Sequence, residues 1–207
     1  MFIELLDGLR CTADHPQIPL VTAITTRHER FVVEGVVGCP TCRKEYAVHD
    51  GIALFGLLGA ADAAPLDIAP EDEAGAMRIG ALLAVSDGIT IALVGDWAAH
   101  ARALAEITGL RAFAVNPRVV IAESERVGVV HSDNRLPFAD GSLRGVAIDE
   151  SGWSLREMSL AVRALSPGGR MVAPALSAVP DEIEEIARDA DVWVGEKRGA
   201  LVTLYRG

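Results

Sequence analysis

The chain has 207 residues, half of them apolar, enough for one ordinary domain or for a small module joined to one compact domain. Its 19 Lys and Arg against 29 Asp and Glu leave a formal net charge of −10, so phosphate backbones repel it and no direct nucleic-acid binding is expected unless a partner supplies the charge. No apolar run is long enough to span a bilayer. The acid-bearing start Met1-Phe2-Ile3-Glu4-Leu5-Leu6-Asp7 lacks the basic segment of a signal peptide, so reduced thiols in the cytoplasm are expected.

Residues 1–58 read as a small β-rich module. Phe31-Val32-Val33-Glu34-Gly35-Val36-Val37 carries strand signals, and Tyr46-Ala47-Val48-His49-Asp50-Gly51-Ile52 reads as a further strand ending at a turn. Between them Gly38 and Pro40 frame Cys39-Pro40-Thr41-Cys42, a C-x₂-C knuckle whose two thiolates can point at one tetrahedral metal. The third cysteine lies in Cys11-Thr12-Ala13-Asp14-His15, with an imidazole four positions on. Cys11, His15, Cys39 and Cys42 together make a Cys₃His set for one structural zinc, with His28, His49 and Asp14 as alternatives for the fourth place. A module this short buries too little apolar area to fold well alone, and a metal would supply the missing stability.

Residues 59–70, rich in Ala, Pro and Asp, read as a linker, and residues 71–207 as the second domain. A helix is expected over 71–85, with acids in its first turn and Met77, Ile79, Leu82 and Leu83 as its apolar stripe. From residue 89 strands and helices alternate. Strands are expected at 89–94, 111–115, 127–131, 146–149 and 170–173, the first a continuous apolar run of the kind covered on both faces. Helices are expected at 98–108, stopped by Gly109, at 154–165, and at 181–190 after Pro180, where Asp181-Glu182-Ile183-Glu184-Glu185 reads as a solvated helix face. Residues 192–194 and 200–205 read as a closing antiparallel pair around Gly199. Such alternation predicts an open, mostly parallel sheet with right-handed crossovers.

Two stretches of this second domain carry a resemblance. Leu136-Pro137-Phe138-Ala139-Asp140-Gly141-Ser142-Leu143-Arg144-Gly145-Val146 resembles the "LPF-x-D-x-S-F-D-x-V" segment of class I S-adenosylmethionine-dependent methyltransferases. The run from Glu157 through Arg163-Ala164-Leu165-Ser166-Pro167-Gly168-Gly169-Arg170 resembles that family's helix-to-strand "P-G-G" turn. Leu5-Leu6-Asp7-Gly8-Leu9-Arg10-Cys11 and the stretch from Cys39 to Ile52 are similar to the small zinc-ribbon family that accompanies several methyltransferases, fused or as an activating subunit. There the first knuckle is commonly C-x₂-C, so His15 must take the second ligand place. The resemblance implies an α/β protein: a small Rossmann-like methyltransferase-type sheet, mostly parallel with an antiparallel C-terminal strand, preceded by a β-rich zinc ribbon.

The same resemblance implies an S-adenosylmethionine site and names its residues. The family's first strand opens into a glycine-rich loop, which here is Val94-Gly95-Asp96-Trp97-Ala98-Ala99-His100. Gly95 is kept, but Trp97 and Ala99 stand at the other glycine places, and the indole is expected to fill room the cofactor needs. Ala114 or Asn116 stands where the ribose-binding acid belongs, and Asn116 could accept one hydrogen bond but lacks the carboxylate, while Asp133, followed by Asn134, matches the acid that contacts the adenine amine. The cofactor contacts are therefore Gly95, Asp96, Asn116, Asp133 and Asn134, with no catalytic residue assigned. Asp149, Glu150, His100 and His131 fall near the sheet edge where ligands bind, although acids after a strand are more often solvated loop residues. The expected function is a degenerate, non-catalytic pseudoenzyme acting as a homodimer, a scaffold or a partner subunit, away from membranes. The alternatives are an active methyltransferase on an unknown acceptor and, more remotely, a redox protein using the Cys39–Cys42 pair.

Overall fold

The computed structural model describes residues 1–56, 67–69, 71–122, 124–133, 135–150 and 154–199. Among the described residues its frame is a sheet of eleven strands, which lie in the order 1-2-3-4-7-6-5-8-9-11-10 when numbered along the chain. After a short helix α1 (Ile3–Leu6), strands β1 (Val21–His28), β2 (Phe31–Gly38), β3 (Glu45–His49) and β4 (Ile52–Phe55) form an antiparallel meander. The expected strand over 46–52 is thus two strands: Asp50 and Gly51, both at positive φ, turn the chain between them.

The meander and the parallel strands belong to one sheet. β4 pairs in parallel with β7 (Val127–Ser132), from Ile52 opposite Val129 to Phe55 opposite Ser132. β6 (Arg111–Val115), β5 (Thr90–Val94), β8 (Leu143–Ala147) and β9 (Leu165–Pro174) continue the parallel block, and β11 (Val192–Lys197) joins β9 antiparallel. Two apolar clusters cover opposite faces, and strand residues alternate between them. Ile91 and Leu93 face α2 (Glu73–Leu83) and α3 (Ala101–Thr108), while Ala92 and Val94 face α4 (Leu155–Ala164) and the N-terminal segment. Leu5, Leu6, Leu9, Val37 and Tyr46 lie in the same cluster as Phe113, Phe138 and Met158, so the N-terminal part that carries the three cysteines shares its core with the parallel sheet.

The helix ends follow the chain's local chemistry. Asp72 caps α2 by accepting the Gly75 amide, Gly109 closes α3 in the left-handed region, and Ser154 with Glu157 forms a reciprocal capping box on α4. Lys197 Nζ satisfies the far end of α4, donating to Val162 O at 2.8 Å and Leu165 O at 2.6 Å.

Three expectations are corrected. The buried stripe of α2 is Ala76, Ile79, Gly80 and Leu83, and Met77 is 63% exposed, because i, i+3, i+4, i+7 spacing rotates it off the core. Residues 95–100 form a 3₁₀ segment ahead of α3, so that helix starts at Ala101. Residues 181–190 are not a helix. Ile183–Arg188 is an edge strand, β10, with only Ile183 buried, and it takes the free edge of β11. Backbone pairing outweighs the helical signals there. The other edge of β11 is held by β9, while residues 200–205 lie outside the described residues.

Candidate functional site

Two places on this frame bring chemistry-bearing side chains together. The first is the corner where the loop after α1 meets the β2–β3 turn. That turn closes through Cys39 N to Lys44 O at 2.9 Å and Arg43 N to Cys39 O at 2.8 Å, with Arg43 at positive φ. It aims Cys39 and Cys42 at Cys11 and His15, and the four donor atoms lie within 4.8 Å of one another. Cys11 Sγ is 3.6 Å from Cys42 Sγ, and Cys39 Sγ is 3.4 Å from His15 Nε2. A tetrahedral site with Zn–S of about 2.3 Å and Zn–N of about 2.0 Å has edges of roughly 3.5–3.8 Å, so the donor set fits a zinc ion. His15 Nδ1 is bound to Pro16 O at 2.8 Å, which turns Nε2 toward the sulfurs. His28, His49 and Asp14 are outside this set.

The thiols are tuned by their surroundings. Burial pushes Cys11 up, but hydrogen bonds from Tyr46 and the Ala13 amide outweigh it and hold the thiol below its ordinary value. Burial also raises Cys39, and the Cys42 and Thr41 amides bring it below the ordinary value. For Cys42 the Lys44 amide pulls down, but burial and the two neighbouring thiols together raise it. Tyr46 is pushed up to about 12 by burial and by Cys11.

The second place is the carboxyl edge of the parallel strands. Gly95 follows β5 with a φ of 65°. The Asp149 carboxylate, from the loop after β8, lies directly over it, and a Cβ on Gly95 would collide with that group. Asp149 Oδ2 accepts the Asp96 amide at 2.9 Å. Arg118 reaches Asp96 at 3.1 Å and Asp149 at 3.5 Å. Asp149 is 8% exposed, so a buried carboxylate occupies the room above the glycine. Trp97 was expected to fill that room. Instead its indole packs against the cluster of α2 and α3, tilted on the His100 ring at 6.1 Å.

The remaining positions expected to contact a cofactor are distributed differently. Asn116, at a φ of 49°, donates Nδ2 to Ser132 O and accepts the Ser132 amide on Oδ1, both at 2.8 Å. Its amide is therefore spent on joining the ends of β6 and β7. Asp133 lies exposed against Gly56, on a cleft of about 570 Å³ whose wall includes Thr12, Tyr46, Phe55, Arg135 and Ser154. Asn134 is outside the described residues. Asp149 and Glu150 line a smaller cleft of about 290 Å³ with Ile148, Met158 and Leu176, while Gly95 and Asp96 line neither. Burial holds His131 below its ordinary value and so favours its neutral form. Arg118, Asp149 as a cover for Gly95, and Tyr46 beside Cys11 were not assigned these roles from sequence, where only non-local pairing could reveal them.

The two places are connected. The loop carrying Cys11 runs along the "LPF" segment: Arg10 N donates to Pro137 O at 2.8 Å and Arg135 to Thr12 O at 3.1 Å. Gln17 donates to Phe138 O at 3.2 Å and accepts the Asp140 amide at 2.7 Å.

No family model matches the sequence, and no curated protein matches it. Among solved structures, the chain is similar to a candidate S-adenosylmethionine-dependent methyltransferase from Methanococcus maripaludis. That likeness has 15% identity over 65% of this chain and 89% of that one, with a TM-score of 0.48. It is also similar to a complex between the Haloferax volcanii Trm112 methyltransferase activator and a candidate methyltransferase, at 22% identity over 55% of this chain and 57% of that one, TM-score 0.41. A third likeness is to the [4+2]-cyclase SpnF, at 17% identity and TM-score 0.41, over 57% of this chain and 47% of the cyclase. The chain thus spans about half the length of two of these three. No helix among the described residues is long and apolar enough to cross a membrane.

Proposed function

We propose that this chain is a methyltransferase-like protein whose cofactor crevice is closed by its own side chains, and that it works as a non-catalytic scaffold or partner subunit. Residues 1–58 are the zinc ribbon, 59–70 the connection and 71–207 the methyltransferase-like domain. Cys11, His15, Cys39 and Cys42 hold one structural zinc, which supplies folding energy rather than chemistry. The "LPF" and "P-G-G" segments support the family reading of the second domain.

The observation that carries the non-catalytic reading is the Asp149 carboxylate over Gly95, held by the Asp96 amide and Arg118. A methionine-bearing cofactor entering beside that glycine would have to displace a buried, paired carboxylate, and removing such a group from its partners is costly. Asn116, already bonded both ways to Ser132, has no carboxylate to offer a ribose. The second reading, an active methyltransferase, is favoured by Asp133, which stands exposed on the 570 Å³ cleft as an adenine contact would.

Calorimetric titration of the full chain with S-adenosylhomocysteine separates the two. The non-catalytic reading expects binding no tighter than millimolar. Micromolar, saturable binding would overturn it and leave the enzyme reading standing.

A further inference from the structure

We infer that Tyr46 is an outer-sphere partner of the metal centre, whose phenol donates a hydrogen bond to the Cys11 thiolate and fixes that ligand's charge and direction. The inference rests on the metal reading of Cys11, His15, Cys39 and Cys42.

The ligands of this corner differ in where their supporting hydrogen bonds come from. Cys39 takes the amides of Thr41 and Cys42, and Cys42 takes the amide of Lys44, all from the tight turn that carries them. His15 is oriented by Pro16 O. Cys11 sits in the loop after α1, where among the described residues the Ala13 amide, at 3.4 Å, is its backbone donor. Its close partner is a side chain from β3, the Tyr46 hydroxyl, at 3.1 Å.

The direction of that bond follows from a count of donors. Tyr46 Oη is 3.0 Å from Thr12 N and 3.1 Å from Thr12 Oγ1. The Thr12 amide can only donate, so it takes one lone pair of the phenol. A metal-bound cysteine is a thiolate, which can only accept, and its charge makes it a stronger acceptor than a neutral hydroxyl. The phenol proton therefore goes to Cys11 Sγ, and the Thr12 hydroxyl donates to Oη. Tyr46 is fixed in this role by its ring, 3% exposed and stacked on Phe55 with centroids 4.3 Å apart and planes at 28°. Both rings border the 570 Å³ cleft, so the same side chain links the metal corner to the sheet edge.

The test uses the full chain, with Zn²⁺ competed against a chelator and Co²⁺ as the spectroscopic probe. Tyr46→Phe keeps the ring stack and removes only the hydroxyl. It is expected to bind one zinc with roughly 10- to 100-fold lower affinity, and to shift the thiolate-to-Co²⁺ charge-transfer band. Thr12→Val keeps both the phenol and the Thr12 amide and is expected to leave that band in place. As a check that needs no variant, the Tyr46 hydroxyl proton of the wild type is expected to change its NMR shift when Cd²⁺ replaces Zn²⁺. Wild-type affinity with an unmoved Co²⁺ spectrum in Tyr46→Phe, or a hydroxyl resonance blind to the metal, would overturn the role of Tyr46 and leave the metal site intact. A wild type that binds neither Zn²⁺ nor Co²⁺ would instead overturn the metal reading beneath it.

Discussion

The corner around Cys11 and the crevice around Gly95 are both built where loops meet strand ends, yet their polar groups are arranged in opposite ways. At the corner, three sulfurs and an imidazole nitrogen face one another within 4.8 Å, all of them acceptors once deprotonated, and only a cation can satisfy them together. At the crevice, acceptor meets donor inside the protein: Asp149 takes the Asp96 amide and Arg118, and Asn116 exchanges two bonds with Ser132. Groups that converge without complementing each other leave acceptors for a ligand to meet. Groups that complete each other meet their needs within the protein.

The largest effect expected from breaking this contrast is at the corner. Cys39→Ser should reduce zinc from one per chain to none, by elemental analysis. Structural zinc is worth about 10–16 kcal/mol of apparent binding in small metal modules, so the variant should also lose several kcal/mol in urea denaturation. Because the Cys11 arm is bonded to Pro137, Phe138 and Asp140, hydrogen exchange should accelerate there as well as in the meander. Protection unchanged at 135–140 would show that the metal supports the meander alone.

The crevice should give a smaller response. Asp149→Ala removes the acceptor of the Asp96 amide and one partner of Arg118, a loss of about 1–3 kcal/mol, read as a lower urea midpoint at constant slope. S-adenosylhomocysteine binding should stay weak, since Asn116 still lacks a carboxylate. Micromolar binding in this variant would show that the carboxylate alone had shut the crevice.

The smallest effect belongs to an exposed clasp on the meander. His49 lies 3.0 Å from Glu34, and the bond from His49 holds the Glu34 carboxyl below its ordinary value of 4.5. The same bond raises His49 above its ordinary 6.5. The Glu34 contribution is present above pH 4.5 and is lost as acid protonates the carboxylate. The His49 contribution is present below pH 6.5 and is lost as pH rises past its raised value. The clasp is therefore complete between pH 4.5 and 6.5. His49→Ala should lower the melting temperature in that window by a little and at pH 9 by less, and equal shifts at both values would remove the pairing as the cause.

Much of this was legible in the chain because it is local. The knuckle spacing paired Cys39 with Cys42, continuous apolar runs named strands such as β5 that are buried on both faces, and Gly109 named a helix end. Each of those signals acts within a few residues, where backbone geometry ties spacing to direction. Tertiary structure decided what depends on partners far along the chain. Asp149 covers Gly95 through a bond to Asp96, 53 residues away, and Tyr46 reaches Cys11 across 35. β4 found β7, and β10 became a strand, because open backbone edges are satisfied by whichever strand the fold brings alongside. Composition and spacing fixed which groups could do chemistry, and packing then decided which of them converge and which are spent on each other.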